Sequence, residues 1–231
     1  MGVRALLAAS AGPPPIDTSY PTPGSGTYRG ASLALDGISY ADIAVPTAAT
    51  GAVDSVQNSA SGLWRSKYDG NFCPYSSNTV GSYDLTYFNG KTPLASLADT
   101  YISWGVQQDG PNQGQHNFSM EWLGYINLTS QNWNFYVESD DTCAVWIGDA
   151  AVSGFSAENC LVSSSNKSLP TNAASSRSNN TLIFDNNKWY PIRIWFSEFG
   201  GNCKFQLYAL GADGTKLQGD AINTQFNNSY S

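Results

Sequence analysis

Residues Phe118–Leu128 read FSMEWLGYINL, Trp133–Val137 read WNFYV, and Cys143–Ile147 read CAVWI. In the second run Trp133, Phe135 and Val137 share one face; in the third Cys143, Val145 and Ile147 do. A period of two marks strands that lay one face on a core. The pattern returns downstream. Tyr190–Phe196 (YPIRIWF) sends Ile192, Ile194 and Phe196 inward and Arg193 and Trp195 outward, and Cys203–Ala209 sends Cys203, Phe205, Leu207 and Ala209 inward. Turns rich in Gly, Asn and Ser separate the runs. No long amphipathic helix intervenes, and parallel strands would need such helices for their crossovers. The expected fold over residues 62–231 is therefore all-β and antiparallel, a sandwich or barrel.

Residues 1–61 have a different texture, rich in Ala, Pro, Ser and Thr. Pro13-Pro14-Pro15 and Tyr20-Pro21-Thr22-Pro23-Gly24 exclude helix and inner strand, because proline lacks the donor and fixes φ. One hairpin is expected, Ala31–Leu35 and Ile38–Val45 around an Asp36-Gly37 turn. The segment holds too little apolar surface to fold alone and reads as an extended arm or docking segment. Met1–Gly12 imitates a signal peptide, but its apolar run is short, so export by the standard route is not expected.

The 231 residues carry a formal net charge of −7, with 11 basic residues and no basic cluster. That balance repels a phosphate backbone, so nucleic acid is not an expected partner. No stretch is long and apolar enough to insert in a membrane. The four cysteines, Cys73, Cys143, Cys160 and Cys203, match no zinc spacing. Two disulfides and buried free thiols both stand as readings. The single His116 lies in a polar loop, and no nucleophile elbow, triad or phosphate loop is seen. Glu138 and Glu198 are too poorly supported as a glycosidase pair to predict catalysis.

Two polar turns interrupt the apolar strands. One is Glu138-Ser139-Asp140-Asp141-Thr142; the other is Ser197-Glu198-Phe199-Gly200-Gly201-Asn202, read as a hairpin. Adjacent carboxylates favour protonation or a cation. Calcium, which takes oxygen from carboxylates and carbonyls, would resolve the conflict; an ordinary solvated acidic turn is the plainer alternative. Trp104, before the amide-rich stretch 106–117, could stack on a sugar face or simply pack in the core.

The ordered motifs Gly62-Leu63-Trp64…Tyr68, Met120-Glu121-Trp122-Leu123-Gly124-Tyr125-Ile126, Trp133-Asn134-Phe135-Tyr136-Val137, Ser139-Asp140-Asp141, Val145-Trp146-Ile147-Gly148-Asp149 and Trp189-Tyr190-Pro191-Ile192-Arg193-Ile194 resemble the protective-antigen (PA-fourteen) domain. They are similar in particular to its flocculin-type calcium-dependent adhesin lectins. The resemblance implies a two-sheet antiparallel β-sandwich over residues 62–231, and a calcium ion held by a cis-linked Asp140–Asp141 pair, by Glu198 where the adhesins carry Asn, and by the carbonyls of Gly200 and Asn202. It implies carbohydrate binding at Asp140, Asp141, Glu198 and Asn202, with Trp104 as the added stacking candidate. The second loop lacks the Trp of the adhesins.

The expectation is a non-catalytic, calcium-dependent carbohydrate-binding and adhesion module. Its partners would be cell-surface or extracellular glycans, and its favoured location a particle surface such as a virion, with secreted or cell-surface display as the alternative. The competing function is purely structural: a viral or phage decoration or fibre protein whose residues 1–61 dock on a capsid or fibre protein.

Overall fold

The computed structural model describes residues 46–56, 60–74, 80–102, 104–107, 117–164, 176–177, 181–200 and 203–228. The Asp36-Gly37 hairpin, His116 and Asn202 lie outside them. The described strands, in chain order, are β1 (Pro46–Ala48), β2 (Ala60–Ser61), β3 (Leu63–Asp69), β4 (Ala95–Asp99), β5 (Trp104–Gln107), β6 (Phe118–Ile126), β7 (Asn132–Asp140) and β8 (Thr142–Ile147). There follow β9 (Val162–Ser164), β10 (Ser176–Arg177), β11 (Thr181–Ile183), β12 (Tyr190–Glu198), β13 (Cys203–Gly211), β14 (Lys216–Leu217) and β15 (Phe226–Asn228). Two single-turn helices, α1 (Asp149–Val152) and α2 (Asp220–Asn223), lie between strands.

These strands form two sheets. The seven-stranded sheet runs β1-β11-β7-β13-β14, with β10 also on β7 and β5 on β13. The eight-stranded sheet runs β2-β15-β6-β12-β8-β9, with β3 on β6 and β4 on β3. The antiparallel sandwich is as expected, with one local departure: β1 joins β11 in parallel, Pro46 opposite Thr181. Strand pairing thus begins ahead of Gly62, because β1 adds to one sheet, Val53 bridges Trp189, and β2 adds to the other by pairing with β15.

The core between the sheets collects the side chains that the alternation assigns to it. Trp133, Phe135 and Val137 of β7 and Cys203, Phe205, Leu207 and Ala209 of β13 meet Phe118, Met120 and Trp122 of β6 and Ile192, Ile194 and Phe196 of β12. Trp122 stacks on Phe205 across the gap, ring centroids 5.7 Å apart. All four cysteines are free thiols, with Cys143 and Cys203 in this core, which agrees with the buried-thiol reading.

One expectation is overturned. Arg193 and Trp195 do project to the other face of β12, but not into water: Trp195 is only 1% exposed. A second apolar layer covers that face, with Phe72, Tyr83, Phe88 and Phe155 packed around Ala144, Trp146 and Trp195. Arg193 donates to Ala151 O at 2.9 Å, ion-pairs with Glu121, and lies over the Phe155 ring. Chain segments remote in sequence supply this lid, so an alternating strand that reads as half-exposed is buried on both sides.

Candidate functional site

The expected site falls where the chain changes sheet. Strand β7 ends at Asp140 in the seven-stranded sheet and β8 starts at Thr142 in the eight-stranded one, so Asp141 alone makes the passage. Strand β12 ends at Glu198 in the eight-stranded sheet and β13 starts at Cys203 in the other. The stretch read as a hairpin is therefore a return crossing between sheets. Its two flanking strands share no ladder, which local sequence does not reveal.

The ladders bring the two crossings side by side. Ser197 of β12 pairs with Thr142 of β8, and Lys204 of β13 pairs with Asp140 of β7. The peptide bond between Asp140 and Asp141 is cis. The Phe199 amide donates to Asp141 Oδ2 at 2.6 Å, tying one crossing to the other. The Gly200 amide donates to Glu198 Oε1 at 2.8 Å. Among the described residues, the buried Glu198 Oε2 has no hydrogen-bond partner, and neither has Thr142 Oγ1.

The electrostatics follow from this crowding. Burial, then the adjacent Asp141, push the Asp140 carboxyl up to about 7, against a smaller opposite pull from Lys204. Burial, then Asp141 and Asp140, push Glu198 up to about 9. The three carboxylates thus feel one another in a partly desolvated place, the condition under which a cation or a proton is favoured. The Cys203 thiol beside them is held well above its ordinary value, chiefly by burial, and stays protonated.

Glu138, one residue pair further along β7, is already neutralised. It forms a buried ion pair with Lys204, and the Tyr208 hydroxyl lies 3.4 Å from the same carboxylate oxygen. Among the described residues, no group of three or more His, Cys, Asp or Glu side chains is placed to hold a metal ion by itself. The oxygen-only donor set and the unpaired Glu198 Oε2 nonetheless fit a hard cation, with backbone carbonyls completing the ligands. Of the other expected residues, Gly200 is exposed on the return crossing and Asn202 lies outside the described residues. Trp104 is placed on β5, opposite Phe205 of β13; its side chain lies outside the described residues.

Sequence reading missed Lys67 and Lys204, both buried at this rim. The available signal was strand parity: Lys67 shares its face of β3 with the buried Leu63 and Arg65, and Lys204 shares its face of β13 with the buried Gln206 and Tyr208.

The GLEYA domain family matches residues 118–210, from the start of β6 to the end of β13, which is less than half of the chain. No curated protein matches the sequence. Among solved structures, the A domain of epithelial adhesin 9 from Candida glabrata, in complex with Galb1-3GlcNAc, superposes with a TM-score of 0.58 at 14% identity, covering 80% of this chain and 96% of that one. The A domain of epithelial adhesin 6 from the same organism, also with Galb1-3GlcNAc, gives 0.55 at 16% identity, covering 78% and 92%. The PA14 domain of the antifreeze protein MpAFP gives 0.52 at 15% identity, covering 77% and 95%. At such identities the likeness is one of fold. The β-sandwich and the resemblance to PA14 and flocculin-type adhesin domains are both as the sequence led one to expect.

Proposed function

We propose that this chain is a non-catalytic, calcium-dependent carbohydrate-binding module for adhesion. The observation that carries the reading is the meeting of Asp140, Asp141 and Glu198 at two adjacent sheet crossings, with one buried Glu198 oxygen left without a partner among the described residues. The side chains of Asp140, Asp141 and Glu198 and the carbonyls of Gly200 and Asn202 would hold the ion. Bound there, calcium would offer sugar hydroxyls a coordination point at the rim. The Phe199 and Gly200 amides orient two of these carboxylates, so the loop and the acidic pair act as one unit. The adhesin 6 and 9 domains were solved with a galactose-containing disaccharide, which makes such glycans the first to test.

The Glu138–Lys204 ion pair supports binding without turnover, because it ties up Glu138 as a general acid or base. Display at an extracellular or particle surface, a virion included, suits the reading, since weak single sites gain from avidity. Of the 1–61 segment, the residues ahead of Pro46 would then serve as tether or docking arm.

The test is glycan-array binding of the full chain in calcium and in chelator. Binding that needs calcium and is lost in Asp141→Asn supports the proposal. Calorimetry showing no calcium uptake by the wild type, together with a blank array, overturns it and leaves the purely structural alternative.

A further inference from the structure

One side chain joins the return crossing to a third segment of the chain. Strands β3 and β12 flank β6, and their last residues, Asp69 and Glu198, both stand opposite Phe118, the first residue of β6. Two residues beyond Asp69, Asn71 reaches across the end of this row. One end of its side-chain amide lies 3.0 Å from Phe118 O, 3.1 Å from Glu198 O and 2.5 Å from Ser197 Oγ. Two of these three are carbonyls, which only accept, so that end is the NH2 group. Asn71 thus pins the last residue of β12 to the first of β6, at the point where the chain leaves the sheet.

The neighbours of Asn71 hold it there. The Gly70 amide donates to Asn117 O at 2.6 Å. The Ser119 hydroxyl donates to Gly70 O at 2.8 Å and accepts from the Phe72 amide at 3.2 Å. Gly70 and Asn117 both take left-handed backbone, φ 80° and 59°, which Gly adopts freely and Asn tolerates. Phe72 is 1% exposed and packs on Trp195, ring centroids 5.3 Å apart. A segment anchored in the outer apolar layer therefore presents one amide to the acidic rim. We propose that Asn71 positions Glu198 for the ion. By holding the Glu198 carbonyl it fixes where the return crossing starts, and with it the Glu198 carboxylate and the Phe199 amide that binds Asp141 Oδ2. The assignment rests on the calcium reading of the site. Asn71 is a positioning residue, because the NH2 group it turns to the crossing is a donor and cannot ligate a cation.

The test has two readouts on the full chain. The first is native-state amide exchange without calcium, followed by NMR. Asn71→Leu keeps the side-chain volume and removes the donors, and should speed exchange at Phe199 and Gly200 by about tenfold while the β7–β13 ladder keeps its rates. A merely structural loss would speed both together. The second is calcium calorimetry, where the same variant should bind about tenfold more weakly. Asn71→Ala, read in the same way, replaces Asn71→Leu should that variant fail to fold. Exchange at Phe199 and Gly200 unchanged in the folded variant overturns the positioning role and leaves calcium binding standing. Faster exchange with an unchanged calcium affinity overturns it as well. A wild type that takes up no calcium overturns the ion reading, and the assignment with it.

Discussion

At the scale of single residues, the informative side chains are the ones that break their surroundings' rule. Glu198 occupies an inward position at the end of a strand whose other inward positions are Tyr190, Ile192, Ile194 and Phe196. The cysteines follow the rule instead and behave as small apolar groups. Burial pushes the Cys143 and Cys160 thiols up to about 12 from an ordinary 9. An acid whose folded value is raised leaves stability untouched while both states stay protonated. As pH rises through 9 the unfolded chain releases protons that the folded one keeps, so stability falls from there towards 12. Thermal melts across that range should decline, and Cys160 should alkylate slowly at pH 8 in the native state. A flat melting profile between pH 9 and 11 would contradict the burial assigned to both thiols.

At the scale of elements, β12 is the centre of the molecule. It pairs with β6 on one side and β8 on the other, and both its faces are covered. Trp195 packs edge-on against Phe88, Trp146 and Phe155, and its indole donates to Glu121 at 2.9 Å. Trp195→Ala should therefore cost about 3–5 kcal/mol in chemical denaturation, a core loss and not a surface one. Gly124 on β6 lets β15 lie close: a Cβ there would stand 2.5 Å from Asn227 O and 2.6 Å from Leu63 Cδ2. Gly124→Ala should loosen β15, visible as faster amide exchange at Phe226 and Asn227. Much of this was legible. The period-two runs named the core faces of β7, β8, β12 and β13, because alternation is local. The lid over Trp195 was not, since Phe72 and Phe155 belong to segments far along the chain. Nor was the crossing at 199–202, because a tight turn and a passage between sheets draw on the same Gly and Asn residues. The acidic pair and Glu198 were nameable as residues, whereas Lys67 gains meaning only from the register of β3 on β6.

At the scale of the whole molecule, residues 46–61 are part of the body. They supply an edge strand to each sheet and a bridge at Val53. A fragment starting at Gly62 should lose on the order of 1–3 kcal/mol relative to one starting at Pro46, measured by urea unfolding. Equal midpoints for the two would show that these edge pairings contribute nothing. Calcium should act at the same scale. Ion present at about 100 times its Kd would stabilise the folded chain by about 2.7 kcal/mol, raising Tm, with the gain abolished in Asp141→Asn.

The ladders also fix where the body is held. Strand β15 meets β6 at Ile126 and Tyr125, while Glu198 meets the same strand at Phe118; β1 reaches β7 through β11, which pairs at Trp133 and Asn132, while the acidic pair closes its other end. Pro46 and Asn228, the first and last described residues, lie at one pole, and the acidic rim caps the opposite pole. The nine residues of β6 set the span between them at roughly 30 Å. A support that held the body through Pro46 or Asn228 would hold it by its base, leaving the rim pointed away like the tip of a probe.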